Sequence, residues 1–200
     1  MKFTKIPTNT FSEMQLNAGI FLSDFDPKEG TVDLANIIAA TSGGCKFTDS
    51  LSFVDMGDGV DNCPKNMMEL KKLDTHEVKM AGTAITVDAD ALAMLAAAAD
   101  NTTLTGATGV SVITPRQDVA TTDYKTIWWV GDYSDKNGET NGGFIAIKLL
   151  NGLNTAGFSL QSSDKDKGTF EFEFMGHYSM DAQTKVPYEL YIKAGTAESV

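Results

Sequence analysis

The chain has 200 residues, 42% of them hydrophobic and 22% charged, enough for one folded domain with its own apolar core and unlike a disordered or low-complexity polymer. The 16 Lys and Arg stand against 27 Asp and Glu, a net charge of −11, and Arg116 is the only arginine. Affinity for nucleic acid rests on clustered cations that release counterions from phosphate, so this balance argues against a phosphate-binding surface.

The opening MKFTKIPTNTF carries positive charge with no apolar run behind it, so no secretory signal is expected and synthesis in the cytoplasm is. Residues 1–40 show no strong period and read as an extended N-terminal arm, with Phe11, Met14, Leu16, Ile20, Phe21, Leu22 and Phe25 scattered along it. Such an arm needs an apolar surface to lie on, either its own domain or a neighbouring subunit.

A single β-sandwich domain is expected over residues 41–195, followed by a short tail at 196–200. From Gly43 onward short β runs alternate with Gly, Asn, Asp and Ser. KFTDSLSFVD is the first, and the segment MGDGVDNCPKNMMELKKL, 56–73, reads as a long projecting loop that presents Met67 and Met68. HEVKMAGTAITV is the next strand. DADALAMLAAAAD, Asp88–Asp100, is the one convincing helix, with Asp88 as N-cap and a stripe of Ala91, Leu92, Leu95, Ala96 and Ala99. The wholly apolar run within it, Ala91–Ala99, is far short of the roughly 20 residues that span a bilayer, so no membrane role is expected.

TIWWVGDY and GGFIAIKLLN are apolar at both alternating sets of positions, which predicts central strands covered on both faces. AGFSLQSS and YELYIKAG supply further strands. In GTFEFEFMGHYS, period two puts Phe170, Phe172, Phe174 and Tyr178 on one face and Glu171, Glu173 and His177 on the other. About seven or eight antiparallel strands with one flanking helix make a mainly β sandwich or barrel.

Chemistry-bearing motifs are missing. YSDKNG places Asp135, Asn137 and Gly138 as a calcium loop would, but Tyr133 and Phe144 stand where its terminal carboxylates belong. Cys45, Cys63, His76 and His177 lack zinc spacing, and the two cysteines read as free thiols. There is no G-x-S-x-G, no phosphate loop and no dinucleotide fingerprint. No catalytic residue, cofactor or metal is expected.

The linked blocks NCPKNMMELKKLD, WWVGDYSDKNG, NGGFIAI and GHYSM, in this order, resemble the major tail tube proteins of long-tailed bacteriophages and prophages of Gram-positive hosts, over about Phe11 to Gly195. The resemblance implies a β-sandwich subunit that closes six copies into a ring and stacks rings into a tube in the virion tail, alongside other tail proteins. Genomic DNA would pass through without specific binding. It makes Phe11, Met14, Leu16, Phe21, Met67, Met68, Asp135 and Asn137 candidates for subunit interfaces, and Glu171 and Glu173 candidates for the lumen. The acidic balance suits a wall that repels DNA. The alternatives are a carbohydrate-binding or adhesin-like sandwich, with Tyr133, Trp128 or Tyr191 stacking on sugars, and another virion component such as a decoration or tail-terminator protein.

Overall fold

Two tryptophans in succession, Trp128 and Trp129, point to opposite sides of one strand, and each side has its own apolar cluster. In the computed structural model, which describes residues 5–134 and 142–196, the strands run in chain order as β1 Gln15–Leu22, β2 Ile37–Ala39, β3 Thr41–Asp55 and β4 Lys71–Ala84. Helix α1, Ala89–Leu95, precedes β5 Ala99–Thr103, β6 Ser111–Pro115 and β7 Lys125–Tyr133. They are followed by β8 Gly143–Asn154, β9 Ser159–Gln161, β10 Thr169–Gly176 and β11 Tyr188–Lys193. The fold is mainly β, with one antiparallel sheet ordered β2-β1-β7-β8-β10-β4-β3, β11 added to β8, β9 added to β10, and a separate β5–β6 pair.

The hinge of this architecture is β8. One edge pairs with β7, while the other takes β11 along Phe144–Leu149 and then β10 at Gly152–Asn154. That change of partner splits the sheet into two layers, which close on a core of Phe21, Val78, Met80, Ile127, Trp129, Ile147, Leu149, Phe172 and Phe174. The opposite face of β7 and β8 is covered by a second cluster in which Phe25 meets Trp128 and Phe144 edge-on at 5.6 and 5.2 Å. The doubly apolar patterns of β7 and β8 therefore mark strands buried on both sides, as expected.

Three expectations need correction. The segment from Gln15 to Ala39 is not an arm: β1 lies inside the sheet between β2 and β7, Phe21 is 2% exposed and packs edge-on against Phe172 at 5.1 Å, and Leu22 and Phe25 are also buried. The periodicity was hidden by a bulge, because Leu16 to Ile20 on β1 faces only Asp132 to Val130 on β7. Asn17 and Gly19 take left-handed φ of 61° and 71° there. A Cβ at Gly19 would stand 2.5 Å from the Trp129 ring, whose Nε1–H donates to Ala18 O at 3.1 Å.

The helix is shorter than its alanine run. Asp88 caps it as expected, its Oδ1 accepting from Ala91 N at 2.7 Å, but the helix stops at Leu95 and Ala97 turns left-handed at φ 66°. Ala99 then opens β5, which pairs in register with β6, Ala99 opposite Pro115. Strand pairing with the next strand overrides alanine's helix preference there. Finally, the projecting loop ends at Leu70, because Lys71–Leu73 belong to β4, paired with Phe53–Asp55. With β1, β2, β5 and β6 the described strands exceed the seven or eight foreseen.

Candidate assembly surface

Strands β3 and β4 are the longest in the chain, and their antiparallel register runs from Thr41↔Ala84 to Asp55↔Lys71. The inner half of this pair is core, since Val78, Met80 and Ala84 are fully buried. Beyond Leu51↔His76 neither face is covered by the described residues. On one face stand Leu51, Phe53 and Leu73, each about half exposed, with Lys71 Nζ 5.0 Å above the Phe53 ring. Val54 and Lys72 share the other face with Ser52 and Thr75, whose hydroxyls bond at 2.7 Å.

The loop at the tip of this ribbon folds on itself. The Asp55 carboxylate accepts from Gly57 N at 3.0 Å and Asn66 N at 2.9 Å. Those two N–H groups, Asn66 first, hold its carboxyl below the usual carboxylate range. Cys63 Sγ fills the space beside Gly57, where a Cβ would meet it at 2.7 Å, and lies 3.6 Å from Met67 Sδ. Both cysteines are free thiols. Met68 in this loop is 82% exposed, and Met56 and Val60 of the same loop are exposed too.

The polar face of β10 continues across β4 to β3, through the rows Glu173–Ala81–Lys46 and Met175–Lys79–Thr48. Lys79 bridges Glu77 at 2.6 Å and Glu173 at 3.4 Å, which holds its ammonium above the ordinary lysine value, the Glu77 hydrogen bond contributing most. Glu171 stands exposed at the rim of a groove of about 480 Å³ lined by Gly43, Gly44, Lys46 and Thr83. The alternation thus puts Phe172 and Phe174 in the core and both glutamates on a solvated sheet face. Tyr178 lies past the end of β10 and is exposed.

Among the other sequence candidates, Phe11 is 66% exposed, Met14 and Leu16 are half-buried, and Met67 is exposed. Phe21 is corrected from an interface residue to a core residue, because its ring is spent on Phe172. Asp135, Asn137 and Gly138 lie outside the described residues; the strands flanking them, β7 and β8, are antiparallel neighbours that meet at Tyr133↔Gly143. Trp128 is buried against Phe25, and Tyr191 lies 5.4 Å from it, so Trp128 offers no platform for a sugar.

Ribbon residues Leu51, Phe53 and Leu73 escaped the sequence reading. SLSFVD alternates like any half-buried strand, and alternation marks an apolar face without saying whether anything covers it. Also unforeseen is a polar cluster at the base of the ribbon. Asp49 Oδ2 accepts from His76 Nδ1 at 2.8 Å and from the Tyr188 hydroxyl at 3.0 Å. Among the described residues no three His, Cys, Asp or Glu are placed to share a metal ion, and no helix is long and apolar enough to cross a membrane.

The chain matches no protein-family model and no curated protein.

Proposed function

We propose that the chain is a structural virion subunit, the major tail tube protein of a long-tailed phage or prophage, made in the host cytoplasm and assembled with other tail proteins into stacked hexameric rings that conduct DNA. The observation that carries this reading is the outer half of the β3–β4 ribbon. A two-stranded ribbon is marginal in water by itself, and this one displays Leu51, Phe53, Val54 and Leu73 around its circumference and Met68 at its tip. A patch of one copy that fits a different patch of the next generates rings and stacks, and a ribbon reaching beyond its own core is suited to such a contact. The net charge of −11 with one arginine is consistent with a wall that does not retain DNA.

The test is electron microscopy of the concentrated protein, which should show rings or tubes. Leu51→Lys with Phe53→Lys should abolish them while moving the melting temperature by no more than a few degrees, since both side chains already face water. A wild-type chain that stays monomeric at every concentration and salt would overturn the proposal. The lumen assignment has its own check. Glu171→Lys with Glu173→Lys places cations beside Lys79 and Lys46, so particles carrying the pair should assemble yet eject DNA slowly, with recovery as salt screens the attraction. Normal ejection from correctly assembled particles would put that sheet face on the outside of the tube.

A further inference from the structure

The body of the molecule ends and the free ribbon begins at one cross-strand row. Within and inward of it, Val78 and Met80 are fully buried and Phe47 packs edge-on against Tyr188 at 5.2 Å. Outward of it, the next residues on the same faces are the exposed Leu51 and Phe53. Three polar side chains meet at this boundary, each from a different strand: Asp49 of β3, His76 of β4 and Tyr188 of β11. Asp49 and His76 are largely shielded, with side chains 16% and 18% exposed. The Asp49 carboxylate is used unevenly, Oδ2 taking both donors while Oδ1 is buried and meets no donor among the described residues.

We propose that Asp49, His76 and Tyr188 form a latch that fixes the direction in which the β3–β4 ribbon leaves the body, so that loss of the Asp49–Tyr188 bond frees the ribbon to swing while both sheets stay folded. His76 and Asp49 both sit on the ribbon, so their bond stiffens it across its width. Tyr188 belongs to β11, on the other layer, so its hydroxyl is the polar tie between ribbon and body. A ribbon two strands wide twists and bends easily beyond its last tertiary contact, and a charge-assisted bond at that point has the most leverage on where the tip lies. The other charged side chains of this part of β4, Glu77 and Lys79, are on the opposite face and pair with each other. Among the described residues no lysine or arginine is paired with the Asp49 carboxylate. The latch belongs to the single chain and does not depend on assembly.

The pH dependence has a definite sign. Burial, and then the hydrogen bond and charge of Asp49, push the Tyr188 phenol above its ordinary value. A group raised in the folded state contributes stability that is complete below its unfolded pKa, about 10 for tyrosine, and is lost as pH rises through the folded value. The latch is therefore closed at neutral pH and opens in alkali, where a phenolate would face the Asp49 carboxylate.

The experiment is a distance measurement between spin labels on the monomer. Met68→Cys at the tip and Met180→Cys on the body carry the labels in a Cys63→Ser background. Cys45 stays unlabelled because burial pushes its thiol up to about 12. At neutral pH the parent should give one narrow distance distribution. Tyr188→Phe, which keeps the ring on Phe47, and Asp49→Asn should both broaden it with no change in circular dichroism. Raising the pH through the elevated Tyr188 value should broaden the parent and leave the Tyr188→Phe variant unchanged. Equal widths for parent and Tyr188→Phe at neutral pH would overturn the latch even if Asp49→Asn failed to fold. Because the protein is studied as a monomer, this outcome is separate from any result on rings or tubes.

Discussion

A chain lacking its first 25 residues will not fold cooperatively, whereas one lacking only the first 13 will melt within a few degrees of the full-length protein. The longer deletion removes β1, an internal strand paired with β2 on one edge and β7 on the other. It also removes Phe21 from the core between the layers, and Leu22 and Phe25 from the cluster over Trp128. Each such side chain contributes about 1.5–3 kcal/mol through burial, so the three together rival the roughly 5–15 kcal/mol that holds a domain folded. The loss would also bare the edge of β7 and its indoles. The shorter deletion takes the exposed Phe11 and the short 3-10 turn around it, none of which is buried. Thermal melts followed by circular dichroism distinguish the cases, and a sharp transition in the 25-residue deletion would mean that the contacts of β1 are dispensable. If the shorter deletion also abolishes tubes, the segment before β1 belongs to the assembly contact.

Asn154→Ala should cost about 3 kcal/mol or more, among the largest effects of any single polar substitution in the chain. Asn154 is 2% exposed, and its amide joins three elements. Nδ2 donates to Leu95 O at 2.6 Å and to Gly157 O at 3.0 Å, and Oδ1 accepts from Glu173 N at 3.0 Å. Leu95 O is one of the terminal carbonyls that a helix cannot satisfy internally. Alanine would leave that carbonyl and the Glu173 N–H buried without partners, just where β8 passes from β11 to β10. Urea unfolding should show a lower midpoint with an unchanged slope, and heat a melting temperature lower by roughly 10 °C. Asn101→Ala, which removes an exposed bond to Asp90 at 2.9 Å, is the control and should lie within about 0.5 kcal/mol of the parent. A change of that small size at Asn154 would show that the site relaxes or admits water.

Much of the architecture is written in short-range pattern. Apolar residues at both parities of IWWV and FIAIKLL mark β7 and β8 as doubly covered, and both faces are in fact buried. Strict alternation in TFEFEF divides β10 into core phenylalanines and solvated glutamates, and Asp88 ahead of an alanine-rich run marks where α1 begins. These signals are legible because a strand shows its two faces every second residue, and a helix announces its first turn through one side chain.

What the pattern could not carry was decided at long range. The bulge at Asn17–Gly19 exists to seat Trp129, 110 positions away in the chain for Gly19 itself, and by breaking period two it made an internal strand look like an arm. After Leu95, residues 96–98 turn the chain out of the helix and Ala99 opens β5 because β6 is there to pair with it. SLSFVD carries the alternation of a half-buried strand, yet its apolar face is bare, because the layer that covers the inner ribbon ends at Tyr188. Asp49 and Tyr188 meet from 139 residues apart, and nothing local to either reports the other. Periodicity records which side chains avoid water. Whether another part of the chain covers them, or they are left for a neighbour, depends on where distant strands end.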